Sequence, residues 1–305
     1  MQIFVLTGQG INSEPVTESL RQLQHTNNKV GEKYNFNVVS ANPANLCAIL
    51  EDPETIAGFI PGGDSSQQTR AQIGQRGMKT LHDFVTNDGG ALTGICKGGY
   101  MLGENVIYGS CFPAEFQRQS RQNIDLIKAT YYGPLQHLLL DYAFEHPDKP
   151  YISLANIAYG EDTIQTPIVY WHGGVPVLKP GQKELRPLAK FSDPFHVAVD
   201  NILYEKVDPI AIGVKDFPLS GGKAISSTVH PEVSGDYLEK YSKYMAKSHS
   251  HYAALQKPYE KTASVLKENK SAVFGLFKVI VDEMLDCGKA HNLTARPSLS
   301  CMSYT

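Results

Sequence analysis

Gly94-Ile95-Cys96-Lys97-Gly98-Gly99 places one cysteine among small residues directly after an apolar run, and that arrangement suits a nucleophile. Where a strand turns sharply into a helix, the residue at the turn projects from the carboxyl edge of the sheet, and flanking glycines make room for the strained backbone. Free N–H groups of the helix and its dipole then favour negative charge on the sulfur. The competing reading is a buried structural cysteine, the commoner fate of an isolated thiol.

A cysteine nucleophile works with a base that can also protonate the leaving group, and with a third residue that orients the base. His230-Pro231-Glu232 supplies both types just beyond a predicted strand. Residues two apart in extended chain face the same side, so Glu232 can approach the imidazole. His146-Pro147-Asp148 has the same chemistry but follows a helical pattern, and it ranks below. Pro61-Gly62-Gly63 ends another predicted strand, where the amides of Gly62 and Gly63, with that of Lys97, could face a carbonyl oxygen as an oxyanion hole. Alone, a Pro-Gly-Gly loop is usually just a turn.

The elements that must position these residues read as an α/β pattern. Strands are predicted over 2–7, 36–40, 56–60 and 91–95, with helices over 16–24 and 76–87 and a further helical segment over 100–104. Looser strands follow over 125–130, 167–171, 195–199 and 210–214, and 223–229 delivers the chain to His230. The expected fold is a flavodoxin-like, doubly wound, mostly parallel sheet with an antiparallel extension over residues 1–235, and a helical carboxy-terminal appendage over 236–305. Apolar spacing at Leu238, Tyr241 and Met245, then Val273, Leu276, Phe277 and Ile280, gives those helices faces that must dock on the core or on a partner, a second copy of the chain included.

Across 305 residues, 42% are hydrophobic and 19% charged, with a net charge of −3, a balance that gives no general footprint for nucleic acid or an anionic membrane. Ala272 to Leu285 is apolar but interrupted by Lys278, Asp282 and Glu283, and too short to span a bilayer. No leader pattern precedes Ile3, and five scattered cysteines form no CxxC pair, so a cytoplasmic, reducing setting is expected. No metal or other cofactor is expected, because neither HExxH nor a paired Cys/His spacing occurs and His249-Ser250-His251 reads as a solvated helix face.

These residues resemble the class I glutamine amidotransferase superfamily, with Cys96, His230 and Glu232 in the places of its catalytic triad. More narrowly, the chain resembles the amino-terminal, amidotransferase-like domain of biotin protein ligases. The resemblance rests on Phe59 to Gly63, Gly94 to Tyr100, Tyr132-Gly133-Pro134, Val169 to Gly174, and Gly222-Lys223 leading to Glu232. It implies a site near Tyr100, Tyr131, Tyr132, Tyr170, Trp171, His172 and Gly173, although aromatic residues beside strands are more often core.

Two departures matter. Lys97-Gly98-Gly99-Tyr100 replaces the segment with which true amidotransferases seat glutamine, and the glycine–arginine adenylate loop of a biotin ligase is absent, so biotin transfer is not expected. Three readings stay open: a hydrolase or amidotransferase-like enzyme acting on a small-molecule or peptide amide, a silent binding or regulatory module, and a cysteine peptidase.

Overall fold

Ile3, Phe4, Val5 and Leu6 are all buried because alternate residues of β1 (Gln2–Leu6) enter opposite cores. Ile3 and Val5 join one apolar cluster and Phe4 and Leu6 another. The computed structural model describes residues 1–27, 34–109, 111–121, 123–139, 152–160, 164–178, 185–192, 197–199, 202–204, 210–248 and 255–294. His146-Pro147-Asp148, His249-Ser250-His251 and Cys301 lie outside them.

After β1 come α1 (Glu14–Asn27), β2 (Asn37–Ala41), α2 (Leu46–Glu51), β3 (Thr55–Ile60), α3 (Ser66–Thr86), β4 (Ala91–Ile95) and α4 (Lys97–Leu102). The middle of the chain holds β5 (Gly103–Tyr108), β6 (Arg118–Ser120), β7 (Ile127–Gly133), β8 (Ser153–Tyr159), β9 (Ile164–Tyr170), β10 (Val175–Leu178), β11 (Arg186–Phe191), β12 (Val197–Val199) and β13 (Ile202–Tyr204). Then follow β14 (Ile210–Phe217), β15 (Gly222–Ser227), α5 (Gly235–Ser248), α6 (Gln256–Glu268), α7 (Lys270–Leu285) and α8 (Gly288–Thr294).

The main sheet runs β2-β1-β3-β4-β15-β14-β11-β8-β9. Its first five strands are parallel, in the flavodoxin-like order, and the next four alternate in direction. Only β14 and β8 oppose the rest, so the sheet is mostly parallel with an antiparallel extension. A second sheet, β10-β7-β5-β6, stands beside α4, and β12 and β13 form a separate two-stranded ribbon.

One face of the main sheet is covered by α1 and α7, where Leu276, Phe277, Ile280 and Met284 are fully buried and Phe277 stacks on Phe59 of β3 at 5.8 Å. The other face carries α2, α3 and α4 through Leu46, Leu81, Phe84 and Met101. The change of sequence character at residue 235 coincides with the start of α5, and the helices beyond it dock on the sheet. No helix among the described residues is long and apolar enough to cross a membrane.

Several elements differ from the sequence expectation. The short helix after Cys96 spans Lys97–Leu102, and Glu104 lies on β5 rather than on a helix. Helix α3 begins at Ser66, where the Ser65 side chain accepts from the Gln68 amide, and runs on past a break at Gly74 (φ 69°) that interrupts its periodicity. Strand β11 contains Pro187, a residue that argues against a strand in the sequence; the register with β14 shifts beside it.

Candidate active site

Strand register brings the three candidate segments together. Ile60 of β3 pairs with Gly94 of β4, and Ile95 of β4 pairs with Ser227 of β15. Chain leaving these carboxyl ends therefore delivers Gly62, Cys96 and His230 to one place, the edge where open α/β sheets hold their ligands.

Cys96 sits at the turn into α4 with φ 53° and ψ −111°, a conformation that costs a non-glycine residue about 1–3 kcal/mol. The turn is locked by its amide, which donates to the Ser227 carbonyl at 2.8 Å. Gly98 completes the elbow, since a Cβ there would stand 2.0 Å from the Ile60 carbonyl oxygen. The Cys96 thiol donates to the Trp171 carbonyl at 3.0 Å.

His230 and Glu232 are buried behind the cysteine, with His230 Nδ1 2.8 Å from Glu232 Oε1. Burial alone would lower the pKa of His230, but the Glu232 carboxylate and the nearby Cys96 sulfur outweigh it and hold the ring's pKa above the usual histidine range. Among the described residues neither its Nε2 nor Glu232 Oε2 has a hydrogen-bond partner of good geometry, although the Cys96 sulfur lies close enough to the ring to raise its pKa. The His230 amide donates to Val169 and the Ser19 hydroxyl to the Glu232 carbonyl, so strand β9 and helix α1 both fix this loop. Gly62 fills the space between the pair and the thiol: a Cβ there would lie 2.7 Å from His230 Cε1 and 3.5 Å from Cys96 Cβ.

Lys97 turns its amine to the Gly10 carbonyl, directly over Gly63. Burial lowers its pKa to about 8 against the opposing pull of Cys96 and Asp64. Its own amide belongs to the first turn of α4, where N–H groups lack helical partners.

Cys96, Lys97 and Gly63 open onto a cavity of about 1820 Å³, whose wall also includes Tyr100, Trp171 and His172. Tyr132, Tyr170 and Gly173 are buried off that lining. Tyr170 donates to the Gly173 carbonyl at 2.8 Å and accepts from the Leu135 amide, while Tyr100 donates to the His172 carbonyl at 3.0 Å. Both tyrosines thus brace the loop that presents Trp171 to the thiol. His172 has φ 58°, its Nδ1 lies 3.0 Å from the Tyr108 hydroxyl, and burial lowers its pKa to about 4, leaving a neutral ring at pH 7.

Sequence reasoning missed Asn12, Arg70, Tyr108, Tyr241 and Tyr244 on the cavity wall. Tyr241 packs edge-on to Trp171 at 5.3 Å, and Trp171 lies 5.9 Å from the His230 ring. The tyrosine-rich stretch of α5 was a signal for two of these residues; nothing in the sequence singled out Arg70. Among the described residues no group of three His, Cys, Asp or Glu side chains could hold a metal ion.

Strand order, elbow and sheet extension define a class I glutamine amidotransferase-like fold. A glutamine amidotransferase from Thermotoga maritima aligns with a TM-score of 0.52 at 12% identity, over 93% of this chain and 98% of that one. A second glutamine amidotransferase structure aligns at 0.44 and 14% identity, over 84% and 98%. At 12% identity the likeness to the first is one of fold. Within that class, the chain belongs to the family described as biotin-protein ligase, N terminal, whose profile matches residues 1–302. No curated protein matches it.

Proposed function

We propose that this chain is a cysteine-dependent hydrolase or amidotransferase-like protein that cleaves a carbon–nitrogen amide bond and does not transfer biotin. The observation that carries the reading is the strained Cys96 elbow opening on a cavity, backed by a buried His230–Glu232 pair. The sulfur attacks the amide carbonyl as a thiolate, its proton already held on His230, whose raised pKa keeps the ring protonated near neutral pH. Amides of Gly62, Gly63 and Lys97 receive the oxyanion. The C–N bond then breaks as His230 protonates the departing amine, leaving a thioester. Water attacks the thioester, gives a proton to His230, and the acid leaves as the Cys96 thiolate beside protonated His230 is restored. The cavity exceeds the usual small-molecule range of about 300–1,000 Å³, which keeps peptide amides within the substrate class.

A second reading, a silent binding module, is favoured by one contact: the thiol donates to the Trp171 carbonyl. Ammonia release from a panel of primary amides, glutamine included, together with mapped iodoacetamide labelling, separates the two. The enzyme reading expects turnover abolished by Cys96→Ser and labelling of Cys96 ahead of Cys47. No turnover, with Cys96 labelled no faster than Cys47, supports the silent module.

A further inference from the structure

Beyond Cys96 the cavity runs to a wall built from α3, β6 and the turn after β6, and that wall is rich in arginine. Arg70, Arg118 and Arg121 line it, joined by Lys79 and Lys97 elsewhere on the lining. Among the described residues, two carboxylates on the lining, Asp64 and Asp125, face these five cations, in a chain whose net charge is −3. Asp125 is ion-paired with Lys128, which does not line the cavity, and Lys79 with Asp83.

Among the described residues the arginines have no such carboxylate partner. Arg70, half-buried, spends one nitrogen, Nη1, on Ser120 Oγ and Asn123 Oδ1, both neutral acceptors. Among the described residues it pairs with no carboxylate, and burial lowers its pKa. Those two bonds tie α3 to the segment around β6, which accounts for Nη1 and leaves the other two nitrogens of the planar fork unused. Among the described residues Arg118 donates to the backbone carbonyls of Glu115 and Gln117 and to no carboxylate. Arg121 is exposed on the same wall. Of the three, Arg70 is the one drawn from water without an anion, which is unfavourable, Arg118 being exposed as Arg121 is; the guanidinium fork matches carboxylate and phosphate oxygens.

We infer that the Arg70–Arg118–Arg121 wall is a subsite for an anionic group, phosphate or carboxylate, on the substrate, whose scissile amide reaches Cys96. This rests on the proposed enzyme reading for the identity of the reacting end, whereas the anion subsite itself rests on the arginines. A cleft with surplus positive charge concentrates anions and speeds their arrival by about tenfold or more at low salt.

The test compares Cys96 alkylation by anionic iodoacetate with that by neutral iodoacetamide, in wild type, R70A and R121E. The iodoacetate to iodoacetamide rate ratio is expected to fall about tenfold in R121E, and the wild-type advantage to shrink at high salt. Calorimetry with inorganic phosphate and with succinate, as separate arms, should show one of them binding and both variants weakening it about tenfold. Arg121 is exposed, so R121E keeps the test valid if R70A does not fold. An unchanged ratio, together with anion binding that is absent or unaffected in R121E, overturns the inference. If Cys96 reacts with neither reagent the nucleophile assignment fails by itself, and calorimetry alone decides the subsite.

Discussion

His230 binds a proton more tightly in the folded chain than in the unfolded one, where histidine titrates near about 6.5. Its stabilising contribution is therefore complete below that pH and is lost as the pH rises through the raised folded value, into the alkaline range. Lys97 acts in the opposite sense, because its folded pKa of about 8 lies below that of a free lysine, so its penalty eases as the pH rises. Urea unfolding of wild type beside His230→Gln isolates the first effect: wild-type stability should decline more steeply above neutral pH than that of the variant. Parallel curves would remove the charged His230–Glu232 pair from the account. Gly62→Ala tests the geometry of the same place. An added Cβ 2.7 Å from His230 Cε1 must displace the ring. Cys96 alkylation and turnover should drop by roughly tenfold or more, while the chain still folds; unchanged kinetics would mean that the ring's position is unimportant.

The site depends on two parallel strands, β4 and β15, that are adjacent in the sheet but separated by more than a hundred residues. Their segments were legible because apolar runs ending in Gly-Ile-Cys and in His-Pro-Glu stand out locally. The pairing was not, since a strand carries no mark of its neighbour. Between them lies the loop Trp171 to Gly174, braced by Tyr100 and Tyr170. Tyr100→Phe removes a buried donor to the His172 carbonyl and should cost about 1 kcal/mol. The loosened Trp171 carbonyl would then release the thiol, so Cys96 should label a few-fold faster. A variant with wild-type labelling would show that this hydrogen bond does not govern the loop.

At the scale of the molecule, α7 is the cover for one face of the sheet. Val273, Leu276, Phe277, Ile280, Val281 and Met284 are buried there. At about 1.5–3 kcal/mol each, their burial is on the order of 10 kcal/mol, comparable to the whole stability of a typical protein. Arg186 and Lys223 add ion pairs from the sheet to Glu283 of the same helix. A chain ending at Asp236 is thus expected to lose its cooperative unfolding transition by circular dichroism, although it retains Cys96, His230 and Glu232. A sharp transition in that truncated chain would show the sheet to be self-sufficient. The same helices bring Tyr241 and Tyr244 of α5 to the cavity, so their loss should also alter what the site accepts.

By itself the sequence determined the fold class, the parallel strands of the first hundred residues, the elbow and the His-Pro-Glu segment. These are local properties: hydrophobic period, glycine at a tight turn, and residue types two apart in extended chain. Tertiary structure alone decided that β15 lies beside β4, that Tyr170 braces a loop rather than lining the cavity, and that Arg70 faces the site from a helix interrupted at Gly74. Each of those depends on contacts between residues distant in the chain, and burial, charge balance and hydrogen-bond partners exist only once such contacts form.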